Sequence, residues 1–338
     1  MKIQLSGRGI GMPMLNNTVL LLFAFILTAL FTSCKKVAVP LEIQIPQEQA
    51  ITQQNAEAAT SSTTNFGALI SGNTKIDDEI KVLQKIGVNY VRYAIFLKTF
   101  SGQDKGYEKW VNAGFKVILN INYDQVSVTG KKVPVPFPTN MRSYRRLLEK
   151  VLDKYHPEVA VIENEPCTDA FHSGPIEDYI TELKTAVDVC NQRNINVADG
   201  GIHVGYVDFV MNGTAKDGNP LETKKLIEAY KTIDLTYVNT HAKAPFDKFG
   251  NQNVYPYGQL EGYADFLRTQ TGKPVMCNEY NQHNSSTTLM TGSVGGFTNG
   301  NYIYVIARSG SGSQDGASLN NGTSLTPLGI AYRDAINQ

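Results

Sequence analysis

The sequence predicts an α/β protein whose main part is a single (β/α)8 TIM barrel over residues 63–338. From about residue 65 onward, strand-like and helix-like segments alternate, and eight strand-like segments occur over roughly 270 residues, the size and rhythm of this fold. A doubly wound open sheet is the main alternative. That fold would need a glycine-rich phosphate-binding turn after an early strand, and neither GxGxxG nor a GxxxxGK motif followed by Ser or Thr occurs.

The strand-like segments are short, apolar and rich in β-branched or aromatic residues, as expected for parallel strands that are buried on both faces. In chain order they are residues 66–70, 88–95, 115–122, 161–166, 196–202, 233–241, 274–280 and 302–306. The fourth and seventh segments each contain an Asn-Glu pair directly after the apolar run. These two strand ends therefore place a charge at the edge of the predicted core.

The intervals between the strands predict helices or are long enough to contain one. The first helix should have Thr74 as its N-cap and end at Gly87, because apolar residues recur between them with helical spacing. Another helix carries an apolar stripe with steps of four and three residues. Its members are Ile176, Ile180, Leu183, Val187 and Cys190. The closing helix should run from Leu325 to Ile336, with Pro327 in its first turn.

Residues 1–33 predict a lipoprotein signal peptide. Two basic residues precede a largely apolar run of 13 residues, Val19–Phe31, which is too short to span a membrane. The segment Phe31–Cys34 resembles a bacterial lipobox, so we expect Cys34 to be the lipid-modified first residue of a protein anchored in the bacterial cell envelope, at the outer membrane. An ordinary secreted protein with an unmodified cysteine is the alternative. Residues 34–62, rich in Gln, Ser and Thr, predict a flexible tether.

Charge and cysteine content exclude several classes of partner. Without residues 1–33 the chain has 29 basic and 31 acidic residues, and a net charge of −2 provides no overall attraction for nucleic acid or acidic polymers. The cysteines after Cys34 are three in number, Cys167, Cys190 and Cys277, and the sequence has no CxxC or HExxH motif. Neither a disulfide framework nor a zinc site is indicated, and we predict no metal and no cofactor.

The two glutamates at the strand ends, Glu165 and Glu279, are the candidate catalytic residues. A carboxylate next to a buried strand is costly unless it is paired, so its presence at two such positions needs a reason. Glycoside hydrolysis provides one, because it uses two carboxyl groups on either side of the scissile bond. The simpler alternative is that both are surface glutamates in ordinary ion pairs.

Four segments resemble the clan A glycoside hydrolases, which are retaining enzymes on a TIM barrel. The segments are Asn164-Glu165-Pro166, residues 272–280, residues 87–92 and residues 325–332. The resemblance implies that Glu165 on strand four is the acid/base and Glu279 on strand seven is the nucleophile. It further implies that Arg92 steadies the nucleophile and that Asn164 contacts the sugar 2-hydroxyl.

Further residues are candidates for substrate binding. His241, at the end of the predicted sixth strand, resembles the histidine that some clan A families place beside the nucleophile; a structural histidine is the alternative. His203 lies just beyond strand five and is a possible sugar contact, and Tyr280 follows the nucleophile as in the clan motif. Strand eight lacks the Trp that many members use as a sugar platform, so Tyr302 or Tyr304 is expected to replace it.

The sequence therefore predicts a lipid-anchored glycoside hydrolase that cleaves a β-linked oligo- or polysaccharide by double displacement. A non-catalytic glycan-binding lipoprotein on the same barrel is the alternative, and loss of either carboxylate would have favoured it. A barrel enzyme with non-carbohydrate chemistry would want a Schiff-base lysine or a metal cluster at the strand ends, and the sequence indicates neither. Fold alone does not decide between these functions.

Overall fold

A computed structural model describes residues 63–71, 75–125, 127–128, 131–244, 259–282, 285–310 and 317–338. The predicted signal peptide, Cys34 and the predicted tether lie outside these residues. Thr74 lies outside them too, and the prediction that it caps the first helix is wrong, because Lys75 occupies the N-cap position of that helix. No helix within the described ranges is both long enough and apolar enough to cross a lipid bilayer.

The structure confirms the predicted TIM barrel. Its eight main strands are β1 (Asn65–Ser71), β2 (Tyr90–Phe96), β3 (Lys116–Asn122), β4 (Val159–Ile162), β5 (Asn196–Asp199), β6 (Val238–Ala244), β7 (Val275–Gln282) and β8 (Tyr304–Gly310). Neighbouring strands are parallel, and β8 pairs with β1. A two-residue strand, Ile202–His203, follows β5 and pairs with β6, and a parallel bridge joins Ala198 to Tyr237. The sheet therefore closes between β5 and β6.

Helices follow the strands along the chain. They are α1 (Ile76–Ile86), α2 (Lys105–Asn112), α3 (Met141–Tyr155), α4 (Ile176–Asn191), α5 (Val204–Met211), α6 (Gly218–Tyr230), α7 (Gln259–Thr271), α8 (Thr287–Asn299) and α9 (Pro327–Ile336). A 3-10 turn, Leu97–Thr99, and three two-stranded pairs complete the described elements. The pairs are Ser127–Val128 with Lys131–Lys132, Val135–Pro136 with His172–Ser173, and Asn320–Asn321 with Ser324–Leu325.

Several helix boundaries agree with the sequence signals. Helix α1 ends at Gly87, which adopts φ 85° and donates its N–H to the carbonyl of Leu83. Helix α9 begins with Pro327, and the Thr326 side chain accepts a hydrogen bond from the N–H of Gly329. In both cases a residue with a specific backbone preference sets where the helix starts or stops.

Apolar side chains form two separate layers. A small cluster lies inside the barrel and consists of Ile118, Val159, Val161, Ala198, Met276, Tyr304 and Ile306. A much larger cluster fills the space between the sheet and the helices, and it includes Cys190 and Cys277. Because side chains alternate along a strand, membership of these clusters shows which strand positions face the barrel axis and which face the helices.

Two strands lie further along the chain than the sequence indicated. Strand β6 was expected at 233–241, but Leu235 donates its N–H to the carbonyl of Ile233 in a tight turn, and the strand begins only at Val238. Strand β8 was expected at 302–306, but the N–H of Tyr302 donates to the carbonyl of Phe297 at the end of α8, and the strand runs from Tyr304 to Gly310. Both shifts change which side chains reach the C-terminal mouth of the barrel.

Candidate active site

Glu279 reaches the mouth of the barrel because β7 contains a bulge. Opposite β6, Thr240 pairs with Cys277 and His241 pairs with Glu279, so Asn278 is an extra residue on β7. The bulge turns both Asn278 and Glu279 towards the barrel axis, whereas strict alternation would send one of them towards the helices. The strand therefore delivers an amide and a carboxylate side by side.

Both carboxylate oxygens of Glu279 accept hydrogen bonds from cations. Arg92 donates from Nη1 to Oε2, and Arg308 donates from Nη1 to Oε1 over 2.9 Å. Asn281 adds a bond from Nδ2 to Oε1, also 2.9 Å. Burial opposes ionisation, but the charges of Arg92, His241 and Arg308 prevail and hold the pKa of the Glu279 carboxyl well below its usual range. Glu279 is therefore ionised.

Glu165 lies in the segment that follows β4, and its backbone is strained. Both Glu163 and Glu165 have left-handed φ values, 65° and 47°, which side chains other than glycine seldom adopt. The N–H of Glu165 donates to the carbonyl of Gly200 over 2.9 Å, and a Cβ at Gly200 would come within 2.6 Å of the Ile162 carbonyl oxygen. Close packing on the Asp199-Gly200-Gly201 turn thus fixes where Glu165 points.

Glu165 and His241 share a hydrogen bond of 2.8 Å between Oε1 and Nδ1. His241 was expected beside the nucleophile, and it does pair in register with Glu279, but its direct partner is Glu165. Burial raises the pKa of the Glu165 carboxyl, and the negative charge of Glu279 acts in the same direction. The hydrogen bond and the charge of His241 outweigh both and lower this pKa.

A chain of amides fixes the tautomer of His241. Nε of Arg92 can only donate, so the Asn120 atom 2.8 Å away is the oxygen. That oxygen also accepts from Nδ2 of Asn278 over 2.8 Å, which turns the Asn278 oxygen towards Nε2 of His241 at 2.8 Å. Nε2 must therefore carry a proton.

It follows that Glu165 and His241 hold one further proton between them. With Nε2 protonated, the pair is either a neutral carboxylic acid and a neutral imidazole or a carboxylate and an imidazolium. The net charge of the pair is zero in both forms.

Glu165 and Glu279 face each other across the mouth. One oxygen of each, together with a ring nitrogen of His241, lies within 4.8 Å of the others. In retaining glycosidases the two carboxyl groups are about 5–5.5 Å apart, whereas inverting enzymes need a wider gap. Within the described ranges this is the one cluster of such groups close enough to bind a metal, but Arg92 and Arg308 occupy both oxygens of Glu279. The cluster does not suit a cation.

Two other predicted site residues, Asn164 and His203, are held in place by their own hydrogen bonds. Asn164 is at the site, and its Oδ1 accepts from Nη2 of Arg92 over 2.5 Å, which leaves its Nδ2 as the donor that can meet a ligand. His203 pairs in register with His241, and its Nδ1 accepts from the N–H of Gly205 as the N-cap of α5. Burial lowers the pKa of His203 to about 4, so its ring is neutral.

Three tyrosines do not reach the carboxyl pair. Tyr280 faces the helices, where its ring packs edge-on against Phe297 of α8 and its hydroxyl donates to Gln282. Tyr302 is fully buried and donates to the carbonyl of Leu260, and Tyr304 lies inside the barrel. The expectation that Tyr302 or Tyr304 forms a sugar platform is therefore wrong, because β8 starts later than the sequence pattern indicated.

Arg308, Asn278 and Phe171 are site residues that the sequence analysis missed. Arg308 contacts Glu279 from β8, and Asn278 connects His241 to Asn120. Phe171 joins Arg92, Asn164, Glu279 and Arg308 in lining a cavity of about 480 Å³. The signal for Arg308 was an arginine following an apolar strand, which becomes informative only once the end of β8 is known.

No family model matches this chain, and no curated protein sequence is significantly similar to it. Solved structures share its fold. A mutant of a GH128 subgroup I endo-β-1,3-glucanase from Amycolatopsis mediterranei, in complex with laminarihexaose, has a TM-score of 0.52 at 12% identity and covers 80% of this chain and 99% of its own. A GH128 subgroup II endo-β-1,3-glucanase from Sorangium cellulosum gives 0.52 at 13% identity, over 80% and 98%.

A third similar structure is XacCel5A in complex with cellopentaose, with a TM-score of 0.55 at 9% identity over 81% of this chain and 99% of that one. At such low identities the similarity establishes the fold and leaves the chemistry to the site. All three structures cover about four fifths of this chain, as expected if the barrel accounts for most of it.

Proposed function

We propose that this protein is a retaining glycoside hydrolase that cleaves a β-linked glycan by double displacement. The observation that carries the proposal is the carboxyl pair at the C-terminal mouth of the barrel, where one oxygen of Glu165 and one of Glu279 lie within 4.8 Å of each other. Arginines bind Glu279, whereas a histidine that can share a proton binds Glu165. The similar structures add support, because their names describe endo-β-1,3-glucanases and a protein bound to cellopentaose.

In the first step, an ionised oxygen of Glu279 attacks the anomeric carbon and forms an ester to the sugar. The bond from that carbon to the leaving oxygen breaks, and the leaving oxygen takes the proton held by the Glu165–His241 pair through Glu165. Asn164, held by Arg92 through its oxygen, presents its Nδ2 to a sugar hydroxyl. Glu165 is left as a carboxylate beside a neutral His241.

In the second step, water attacks the same carbon and gives a proton to Glu165. The ester bond breaks, and Glu279 leaves as the carboxylate that Arg92 and Arg308 stabilise. The proton returns to the Glu165–His241 pair, so the starting state is regenerated with no net gain or loss of protons. Two inversions at the anomeric carbon retain its configuration.

The test is hydrolysis of a panel of β-linked glucans and aryl β-glycosides, with the anomer first formed identified by proton NMR. The account predicts at least one hydrolysed substrate and a product of retained configuration. An inverted product would contradict the double displacement. If the protein binds glycans tightly but hydrolyses none, the non-catalytic receptor is the better account. One feature favours a receptor: cations bind both oxygens of Glu279, and this contact weakens Glu279 as a nucleophile.

We also propose that Cys34 is the mature N-terminus and carries lipid. The support is the sequence from Val19 to Cys34, which lies outside the described residues. Expression of the full chain in a bacterium, followed by mass spectrometry of the N-terminal peptide, should find a diacylglyceryl-modified Cys34, and Cys34→Ala should release the protein from the membrane fraction. An unmodified terminus at another residue would refute the anchor and leave the barrel chemistry unaffected.

A further inference from the structure

Asn278, the extra residue of the β7 bulge, is hydrogen-bonded to three other strands. Its Nδ2 donates to Oδ1 of Asn120 on β3, and its Oδ1 accepts from Nε2 of His241 and Nδ2 of Asn239 on β6, each over 2.8 Å. Its N–H donates to Oδ1 of Asn239 over 3.0 Å, and its carbonyl accepts from Nη1 of Arg92 on β2 over 3.4 Å. Asn278 has no exposed surface, so these bonds fix the plane of its amide.

Through these bonds Asn278 lies one residue away from each of the two candidate catalytic glutamates. His241, which donates to the Asn278 oxygen, is hydrogen-bonded to Glu165. Arg92, which donates to the Asn278 carbonyl, is paired with Glu279. One buried residue therefore supports the partner of the acid/base and the partner of the nucleophile.

Position 278 needs a donor and an acceptor in one plane. On one side, Oδ1 of Asn120 already accepts from Nε of Arg92 and can only receive a further donor. On the other side, the N–H at Nε2 of His241 needs an acceptor. Leucine has a similar size but would leave Asn120, Asn239 and His241 without this partner. A protonated aspartic acid would match the amide, because its O–H donates and its C=O accepts.

The acceptor at Nε2 also decides how many protons the Glu165–His241 pair holds. While Nε2 donates to Asn278, the hydrogen bond at Nδ1 requires a second proton, carried by Glu165 or by the ring. Without the acceptor, the favoured tautomer has its only proton on Nδ1, donates to an ionised Glu165 and leaves Nε2 bare. That state has released one proton to solvent, so Glu165 has none to give to a leaving group.

We propose that Asn278 is the positioning residue that keeps the transferable proton on the Glu165–His241 pair, by accepting the hydrogen bond from Nε2 of His241. The inference rests on the proposed glycosidase function and adds to it a residue that does not touch the substrate. Among the described residues, several titratable groups interact electrostatically with the pair, and the variants at position 278 leave all of them in place. They are His172, Asp199, His203, Tyr206, Lys243 and Glu279.

The first test needs no substrate. Histidine labelled with the heavy nitrogen isotope is incorporated, and long-range proton–nitrogen correlation spectra show which ring nitrogens carry a proton; His241→Gln identifies the signals of His241. Between about pH 6 and 8 the wild type should carry a proton on Nε2. Asn278→Leu should carry it on Nδ1 alone, and Asn278→Asp should return it to Nε2. A wild-type ring protonated on Nδ1 alone would overturn the proposal, whether or not Asn278→Leu folds, and so would an Nε2 proton in Asn278→Leu.

The second test compares two leaving groups on a sugar that the wild type hydrolyses. Phenoxide needs a proton when it leaves, whereas dinitrophenoxide does not. Asn278→Leu should lower kcat/KM about 10²-fold for the phenyl glycoside and less than about threefold for the dinitrophenyl glycoside. Asn278→Asp should restore the phenyl value to within about tenfold of wild type. An equal loss for both leaving groups would indicate a purely structural role and overturn the proposal.

Thr240→Val is the matched control. Thr240 is also fully buried and precedes His241 on β6, but it faces the other side of the strand, where its hydroxyl donates to the carbonyl of Met276 over 3.1 Å. The variant should keep the Nε2 proton and the wild-type ratio of the two kcat/KM values. A changed ratio in Thr240→Val like that in Asn278→Leu would overturn the proposal, since loss of any buried hydrogen bond would then be enough.

The two tests separate this inference from the proposed function. If no glycoside is hydrolysed, the glycosidase is refuted, and the spectra still decide whether Asn278 holds the Nε2 proton of His241. If glycosides are hydrolysed with retention but the wild-type ring has its proton on Nδ1 alone, the role of Asn278 is refuted and the glycosidase stands.

Discussion

Glu165 and Glu279 are the same residue type and equally buried, each with 8% of its surface exposed, yet their surroundings differ. Glu279 is bound by two arginines and an amide, all of which can only donate to it. Glu165 is bound by one histidine nitrogen that shares a proton with it. Burial alone would raise both pKa values. The difference shows that the partners, rather than the depth of burial, decide which carboxyl group is a permanent anion and which exchanges a proton.

The largest expected effect comes from removing Glu279, the carboxyl group that stays ionised. Glu279→Ala should lower turnover of any substrate by roughly 10⁴-fold or more, because no other group can form the ester. Binding of neutral glycans should persist, since most sugar contacts lie away from the reacting carbon. Steady-state kinetics and calorimetry check both statements. Glu279→Gln is the isosteric control, and turnover by either variant within tenfold of wild type would remove Glu279 from the mechanism.

Removing Glu165, the carboxyl group that exchanges a proton, should affect the two steps of hydrolysis differently. Glu165→Ala should slow hydrolysis of natural glycans by about 10²–10⁴-fold. With an aryl glycoside whose leaving group needs little protonation, only the second step should slow, and added azide should restore turnover as a glycosyl azide of retained configuration. Product analysis by mass spectrometry and NMR checks this. An inverted azide, or no rescue at any azide concentration, would indicate that Glu165 does not have this role.

The two arginines on Glu279 should also differ from each other. Arg92→Met should destabilise the protein by about 3–5 kcal/mol, because it leaves the buried Glu279 carboxylate with a half-exposed arginine as its remaining cation and removes the hydrogen bonds from Arg92 to Asn120 and Asn164. Arg308→Gln, at a half-exposed site, should cost under about 1 kcal/mol. Urea unfolding of the two variants measures the difference. If the two variants were equally destabilised, the greater burial of Arg92 would not make its ion pair with Glu279 more important for stability than that of Arg308.

A third buried glutamate, Glu163, has no arginine or lysine in ion-pair contact among the described residues and should make stability depend on pH. Burial raises its pKa to about 7, and the N–H of Tyr123 donates to its Oε1. Between about pH 5 and 7 the folded state keeps a proton that the unfolded chain has lost, so this group makes the free energy of unfolding fall as pH rises. Glu163→Gln keeps the acceptor oxygen and should reduce that fall by about 2 kcal/mol in urea titrations at pH 5 and 8. An unchanged pH dependence would mean that Glu163 is ionised throughout this range.

Local sequence patterns were enough to predict the barrel and the strands that carry the two glutamates. The apolar runs before Glu165 and Glu279 end where charge begins, and that local change of character does not depend on distant contacts. Strand ends were harder to predict. The tight turn at Ile233 and the hydrogen bond from Tyr302 to the end of α8 depend on tertiary packing. Because the predicted β8 began and ended too early, the sequence analysis placed Tyr302 or Tyr304 at the site instead of Arg308.

The bulge in β7 could not be predicted from the local pattern. Strict alternation along the strand predicts that Tyr280 and Asn278 face the same side, but the extra residue sends Asn278 to the barrel axis and Tyr280 to the helices. The hydrogen bond between Nε2 of His241 and Asn278, which fixes the tautomer of the histidine, is made at the same bulge. These features come from pairing between strands that are distant in sequence.

The most direct test of the central claim is to trap the ester between the sugar and the enzyme. The reagent is a 2-deoxy-2-fluoro glycoside with a dinitrophenyl leaving group, built on the sugar of a confirmed substrate. Its fluorine slows both steps and its leaving group speeds the first, so the ester accumulates. The account predicts a mass increase of one fluorosugar per chain, located on the peptide that contains Glu279 and absent from the Glu279→Ala variant. An adduct on Glu165, or turnover with inverted configuration and no adduct, would contradict it.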